Sequence, residues 1–334
     1  MKVAPVPISW RPEFSIYAAE PFLRSVGDEC GWLGGFNGSG TMRCILPYTV
    51  IRKFIFRLVR FRVETIPVGE GLSVEEERAF LDDVIEYFRS AGEDMIIPAS
   101  TNTLFRAYPD GAIAAPYGSY ILDLGRPEQT LWDGLHQKHR NVIRNAMKQG
   151  VQIRTGMEHL QTVHQIIETT LKRSKLHFMS RAALEKFVRG LGENVKLIVA
   201  EHQGVAQGCA VVPYSLHSAY YLYAGSITRP VSGAMNLLNW EAIRLFQSLG
   251  VKRYDFVGVR INPEKGSKQA GLRLFKERFG GSLNEGYMWK FCFHRLKYWA
   301  YCAAVRLRNR GDIVDLERHK LSPAPARGLL SDTV

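Results

Sequence analysis

The residues best suited to chemistry lie in one stretch, Lys252–Gly281, KRYDFVGVRINPEKGSKQAGLRLFKERFGG. Tyr254-Asp255-Phe256-Val257 reads as a short buried strand. Gly258 follows, so the backbone can turn where a side chain would obstruct. A polar, lysine-bearing loop comes next. Leu272, Leu274, Phe275 and Phe279 then form an apolar set around Arg273, Lys276, Glu277 and Arg278, and the stretch closes on Gly280-Gly281. A strand that ends in glycine, crosses a basic loop and returns through a charged Phe-Lys step can form the wall of an anion site. The same pattern also describes an ordinary strand–loop–helix corner with a solvated basic face. Spacing alone leaves both readings open.

Other cations cluster elsewhere. Arg140, Arg144 and Lys148 are spaced four apart on a predicted helix, so they stack along one face, which Lys138 and His139 widen. They either meet an anion or sit near the helix C-terminus, where cations are favoured anyway. Arg173, Lys175, His177 and Arg181 gather at a predicted helix break, and Arg173 and Arg181 are candidates to bind phosphate. Ser232-Gly233 opens the helix Ala234–Leu249, whose free N–H groups suit a phosphate, so Gly233 joins the candidates. In Ser218–Ser226 (SAYYLYAGS), alternation puts Tyr221 and Tyr223 on one face and Tyr220 and Leu222 on the other. Tyr223 is the candidate to hydrogen-bond an acceptor substrate.

These residues must be held by a full-sized fold. The chain has 334 residues, 46% hydrophobic and 23% charged, enough for two ordinary domains with a proper core. Its net charge of +12 favours anionic partners: nucleic acid, phosphorylated small molecules or an acidic membrane surface. The five cysteines are scattered without a Cys-x-x-Cys pair, so neither a disulfide framework nor a metal site is expected, and a reducing compartment fits. Met1–Ser15 carries prolines, a Trp and an Arg where an export signal needs an apolar core. No apolar run approaches the roughly 20 residues of a membrane span.

Along the chain, Gly31–Gly40 reads as a flexible loop, and Arg43–Val63 as two strands or a strand and a short helix. Ser73-Val74-Glu75-Glu76 fits a capping box opening a helix with Phe80, Leu81, Val84, Ile85 and Phe88 on its buried face. A second helix is predicted from Thr130 to Gly150, with Leu131, Leu135, Val142, Ile143 and Ala146 buried. Two helical segments span His159 to about Leu191, and a strand pair follows, Val195–Glu201 and Ala206–Pro213. Phe291–Arg308 is aromatic and basic, as in a terminal helix docked on the core or lying on a membrane surface. Gly311–Val334 loses hydrophobic periodicity.

From Val151 onward the order strand, helices, strand pair, strand, helix, strand, helix is similar to that of an acyl-CoA N-acyltransferase (GNAT-like) domain. Leu135–Gly150 (LHQKHRNVIRNAMKQG), Tyr221–Ser226 (YLYAGS), Asn239–Gly250, Tyr254–Gly258 and above all Phe275–Gly281 (FKERFGG) resemble the Fem family. These are the aminoacyl-tRNA-dependent peptidyltransferases of peptidoglycan cross-bridges. The broader FemAB-related acyltransferases, encoded with polysaccharide and protein-export systems, are also similar. The resemblance covers Thr130–Lys290 well and the first third in outline, as a diverged copy of the same fold.

The resemblance implies an α/β (α+β) chain with two GNAT-like domains in tandem, mixed central sheets flanked by helices. The expected divisions are 1–129, 130–290, a basic aromatic helix at 291–310 and a loose tail at 311–334. Nothing between His159 and Val195 is long enough for the helical arm of some members. Lys276 matches the lysine of the family's Phe-Lys motif, which lies at the active site. The GNAT pyrophosphate signature is matched only loosely by Arg229-Pro-Val-Ser-Gly233-Ala, with one extra residue before the glycine.

The implied reaction is aminolysis of an activated acyl group, with no cofactor beyond the donor, charged tRNA. The acceptor is an amine of a peptidoglycan precursor or a related molecule. The alternative is transfer from acyl-CoA to an amino sugar or amino acid, and a third reading is a basic binding module with a dead site. Lys276 would place positive charge against the oxyanion or the donor phosphate, and Asp255 is the motif-linked carboxylate available as base. Arg140, Arg144 and Lys148 would face the tRNA. A cytoplasmic location, peripheral at the inner face of the membrane, fits this reading.

Overall fold

The computed structural model describes residues 1–69, 71–309 and 311–318. The chain opens with β1 (Lys2–Val6) and α1 (Glu20–Val26), then a run of strands: β2 (Glu29–Phe36), β3 (Met42–Lys53), β4 (Phe56–Phe61) and β5 (Ile66–Pro67). After α2 (Val74–Ser90) come β6 (Met95–Ile96) and β7 (Ile113–Asp123), then α3 (Glu128–Gly134) and α4 (Gln137–Lys148). The second half runs β8 (Gln152–Thr155), α5 (Leu160–Lys172), α6 (Arg181–Leu191), β9 (Val195–His202), β10 (Val205–Pro213), β11 (Ala219–Tyr220) and β12 (Tyr223–Ser226). It ends with α7 (Ala234–Ser248), β13 (Arg253–Asp255), α8 (Lys268–Glu277), β14 (Ser282–Cys292), α9 (Arg295–Asn309) and α10 (Ile313–Arg318).

The result is the expected mixed α/β architecture, with central sheets flanked by helices. One ten-stranded sheet has the order β1-β2-β3-β4-β6-β14-β7-β13-β11, with β5 on β3, and a four-stranded sheet has the order β12-β10-β9-β8. β14 joins the two halves of the large sheet, because its body pairs with β7 and its last residues pair with β6. The large sheet therefore takes strands from both sides of residue 129. Between His159 and Val195 there are only the 13-residue α5 and the 11-residue α6, and no helical arm.

Local signals explain several elements. Glu76 N donates to Ser73 Oγ at 3.1 Å and Ser73 N donates to Glu76 Oε2 at 2.8 Å, which completes the box that starts α2. Its apolar face meets Leu46, Phe61 and Trp289 in one core. A second core joins α3, α4 and α7 to both sheets, around Ile198, Tyr254 and Phe256. A third packs the N-terminal segment Ile16–Leu23 against α5, α6 and β10, with Phe22 and Phe187 5.8 Å apart.

Other expectations need correction. Gly31–Gly35 lie inside strand β2 rather than in a flexible loop. A Cβ at Gly35 would strike Phe80 and Cys44 at 2.6 and 2.7 Å, so the absent side chain lets α2 pack tightly on the sheet. The predicted 130–150 helix is two helices. Leu135 is extended, and His136 N donates to Arg278 O at 2.9 Å, so a bond to a distant segment breaks the helix there. His139, read as widening a basic face, is buried with its ring 4.8 Å from Phe279, and burial lowers its pKa to about 4.

At the C-terminus, Phe291 and Cys292 belong to β14 and the helix starts only at Arg295. Residues 311–318, read as part of a loose tail, hold α10. Asp312 and Asp315 there each accept from the buried Lys290 Nζ at 2.7 Å, which pins the segment to the sheet. The rest of that tail, 319–334, lies outside the described residues. Among the described residues no helix is long and apolar enough to cross a membrane.

Candidate active site

The site begins where one strand changes sheets. β11 pairs in parallel with β13 in the large sheet, while β12 pairs antiparallel with β10 in the small one. Tyr221 N donates to Asp255 O at 2.8 Å, and the next residue, Leu222, donates to Val211 O at 3.2 Å. The two sheets diverge at that step. The expected alternation fails there: Tyr221 faces one cavity, and Leu222 and Tyr223 face another. Tyr221 and Tyr223 therefore do not share a face, because the change of sheet interrupts the period of two.

Across the opening stands the turn after β13. Val257 has φ +50° and Gly258 φ +54°. A β-branched residue at positive φ is strained, and such strain persists only where surrounding contacts hold it. The Asp255 carboxylate supplies one such contact: its Oδ1 accepts from Val257 N at 2.7 Å and from the Ser119 hydroxyl. The turn directs two carbonyls at the last turn of α8. Lys276 Nζ donates to Gly258 O at 2.8 Å and also to Val257 O.

α8 is fixed at both ends. Ser267 caps its start, accepting from Ala270 N at 3.2 Å. Past its end, Phe279 is wholly buried, with its ring 4.9 Å from Phe256 and 5.3 Å from Phe275. The Phe-Lys-x-x-Phe step thus drives one ring into the core, leaves Phe275 at the cavity wall and holds Lys276 between them. Burial lowers the Lys276 pKa to about 8, while the charge of Asp255 pulls it upward. Burial raises the Asp255 pKa, and its hydrogen bonds from Ser119 and Val257 oppose that rise.

The cavity beside Lys276 holds about 840 Å³. Its polar wall carries Arg173, Arg260, Lys268 and Lys276, and among the described residues no carboxylate lines it. Tyr221, Met235, Leu272 and Phe275 supply an apolar side. Arg173 is steadied by Thr228 Oγ1 at 3.2 Å and Thr170 Oγ1 at 3.0 Å. Arg260 pairs with Glu317 at 2.9 Å, and Lys268 donates to Ser174 Oγ. Four cations around a space of this size suit an anionic or strongly polarised ligand.

Of the residues expected from sequence, the cavity brings together Lys276 and Arg173. Asp255 lies behind it, acting on the turn. Tyr223 lines the second cavity, and Arg181 is an exposed residue at the start of α6. Gly233 sits at the start of α7 with φ +83°, and a Cβ there would collide with Val142 O, so close packing against α4 requires the glycine. Its neighbour Met235 reaches the cavity. Arg140 donates to Asp133 O at 2.6 Å and Arg144 lies 5.2 Å over the Trp132 ring, so both hold α3. Lys148 is exposed at the end of α4. None of these three lines the Lys276 cavity. Sequence reasoning noted the basic loop without singling out Arg260 and Lys268, and no local signal marks Ser119.

Residues 113–206 match the FemAB family. A lipid II:glycine glycyltransferase of Staphylococcus haemolyticus is 22% identical over 169 residues, covering 47% of this chain and 40% of that protein. The chain thus spans less than half the length of this curated relative. The crystal structure of FemX superposes with TM-score 0.64 at 12% identity, over 90% of this chain and 99% of that one. A Bacteroides thetaiotaomicron protein of unknown function superposes with TM-score 0.52 at 14% identity, over 83% and 90% of the two chains. The mixed α/β fold expected from the residues, central sheets flanked by helices, is the fold these superpositions share.

Proposed function

We propose that this FemAB-related chain is an aminoacyltransferase that moves an aminoacyl group from charged tRNA to an amine of a peptidoglycan precursor. The observation that carries the reading is the Lys276 ammonium, held by two turn carbonyls at the wall of a cation-lined cavity that no carboxylate among the described residues lines. In this reading the amine nitrogen attacks the ester carbonyl, the new N–C bond forms and a tetrahedral oxyanion develops. The C–O bond to the ribose then breaks, and the proton lost by the amine ends on the ribose oxygen. Such an ester is already activated, so positioning and charge stabilisation are the main requirements. Lys276 supplies the charge, and Arg173, Arg260 and Lys268 hold donor phosphate.

An acyl-CoA donor is the second reading, favoured by the apolar side at Tyr221, Met235, Leu272 and Phe275, which suits an acyl or thioester chain. A titration of purified protein against charged tRNA, acetyl-CoA and longer acyl-CoAs at two salt concentrations separates them. The expected result is tRNA binding that weakens steeply with salt, together with transfer of labelled amino acid to an amine. Tight acyl-CoA binding without tRNA affinity would replace the first reading with the second. Binding of neither would overturn both.

The same proposal places the protein at an anionic membrane surface, where a lipid-linked acceptor would lie. The support is α9, whose Leu296, Trp299, Ala303 and Leu307 recur at helical spacing with Leu296, Trp299 and Leu307 exposed. Beside it, through the Phe56–Tyr301 ring contact, stands the β3–β4 hairpin with Phe54 94% exposed at its tip. Exposed Lys53, Arg295 and Arg306 accompany these apolar groups. Sedimentation with vesicles containing phosphatidylglycerol should exceed that with neutral phosphatidylcholine, and Trp299→Ser should reduce it about tenfold. Equal sedimentation of the variant and the parent would remove α9 from this role.

A further inference from the structure

Behind the strand switch lies a second cavity, of about 270 Å³, on the side opposite Lys276. Tyr17, Arg60, Arg62, Asn102, Leu222 and Tyr223 line it, so both halves of the chain contribute. Arg62 is only 8% exposed. It donates to Thr49 Oγ1 at 3.1 Å and to Val26 O at 2.7 Å, which fixes its guanidinium. Arg60 donates to Pro98 O at 3.1 Å. Among the described residues neither guanidinium has a carboxylate within ion-pair distance. Their neighbouring charges oppose each other, and burial lowers both pKa values, that of Arg62 to about 9.

A buried cation without a counter-charge is costly, and Arg62 is buried with a second, partly buried cation, Arg60, beside it. The hydrogen-bond accounting points the same way. A guanidinium carries five N–H donors, and these two use only some of theirs on the protein. The hydroxyl of Tyr17, itself 2% exposed, has no hydrogen-bond partner among the described residues. A buried hydroxyl left unpaired calls for an explanation. Donors therefore converge on a small space that offers them too few acceptors.

We propose that this cavity is an anion subsite that takes a carboxylate or phosphate group, bound by Arg60 and Arg62 with the Tyr17 hydroxyl as a further donor. Planar carboxylates and phosphates match the guanidinium fork. The volume admits one such group with a few attached atoms and is too small for a nucleotide. The proposal is independent of the transferase reading, because it concerns binding alone.

The test is isothermal titration of the full chain with inorganic phosphate, N-acetylalanine and the neutral N-acetylalanine methyl ester. The expected result is saturable binding of phosphate or N-acetylalanine, whichever group the site takes, and none of the ester. Arg60→Gln should weaken that binding at least tenfold. Tyr17→Phe should weaken it severalfold without lowering the thermal stability of the ligand-free protein, since among the described residues the hydroxyl has no partner to lose. Absence of saturable binding to either anion would overturn the proposal. So would binding that is the same in Arg60→Gln and Tyr17→Phe as in the parent.

Discussion

Replacing Lys276 by alanine is expected to slow transfer by roughly 10²–10³, the loss typical of removing one donor at a developing oxyanion. The lysine also tethers the Val257–Gly258 turn, so some loss of melting temperature is expected, and the lost rate reads as chemical when the variant is still folded at the assay temperature. The pH profile supplies a second readout. Burial brings the Lys276 pKa down to about 8, and an electrostatic role requires the ammonium form. Rates should rise with pH while the acceptor amine loses its proton, then fall above about pH 8 as Lys276 loses its own. A lysine acting as base would have the opposite sign, gaining activity through the same range. Lys276→Arg keeps the charge at all accessible pH values, so its residual activity should lack the falling limb. Full turnover in a folded Lys276→Ala protein would end the proposed role.

Much of this site is legible in local sequence because its parts are local. The strand end, the basic loop and the Phe-Lys step lie within thirty residues and fold into one wall of the cavity, so their order already describes that wall. The same holds for α2, where the capping box and the helical period agree. What sequence does not disclose depends on distant partners. The break at Leu135–His136 is made by a bond to Arg278 O, and the burial of His139 by Phe275 and Phe279. Tyr221 and Tyr223 part company because one strand serves two sheets, which a period-two pattern cannot express. Arg60, Arg62 and Tyr17 come from separated N-terminal segments, and only the tertiary fold sets them around one space. The stacked cations of α4 were visible, but their spacing does not say that Arg140 and Arg144 are engaged with α3.

Asp255 presents the second large effect, and the two variants that test it should differ. Its buried carboxylate holds Val257 at positive φ, and through that turn presents the carbonyls that seat Lys276. Asp255→Ala leaves Val257 N–H and the Ser119 hydroxyl without their acceptor, a loss of about 2–4 kcal/mol in stability. Activity should fall with it by about 10², because a misplacement of the charged group by an ångström has that effect. Asp255→Asn retains an oxygen for Val257 N–H, so it should keep the turn and stay within about tenfold of the parent rate. It also removes a negative charge that raises the Lys276 pKa, so the falling limb of its pH profile should move below about pH 8. A residue that only supported the fold would not shift that limb. If Asp255 instead took the proton from the incoming amine, asparagine would be as damaging as alanine, by roughly 10²–10⁴, since neither accepts a proton. Comparing kcat/KM, melting temperature and pH profile for the two variants therefore distinguishes a positioning carboxylate from a catalytic base.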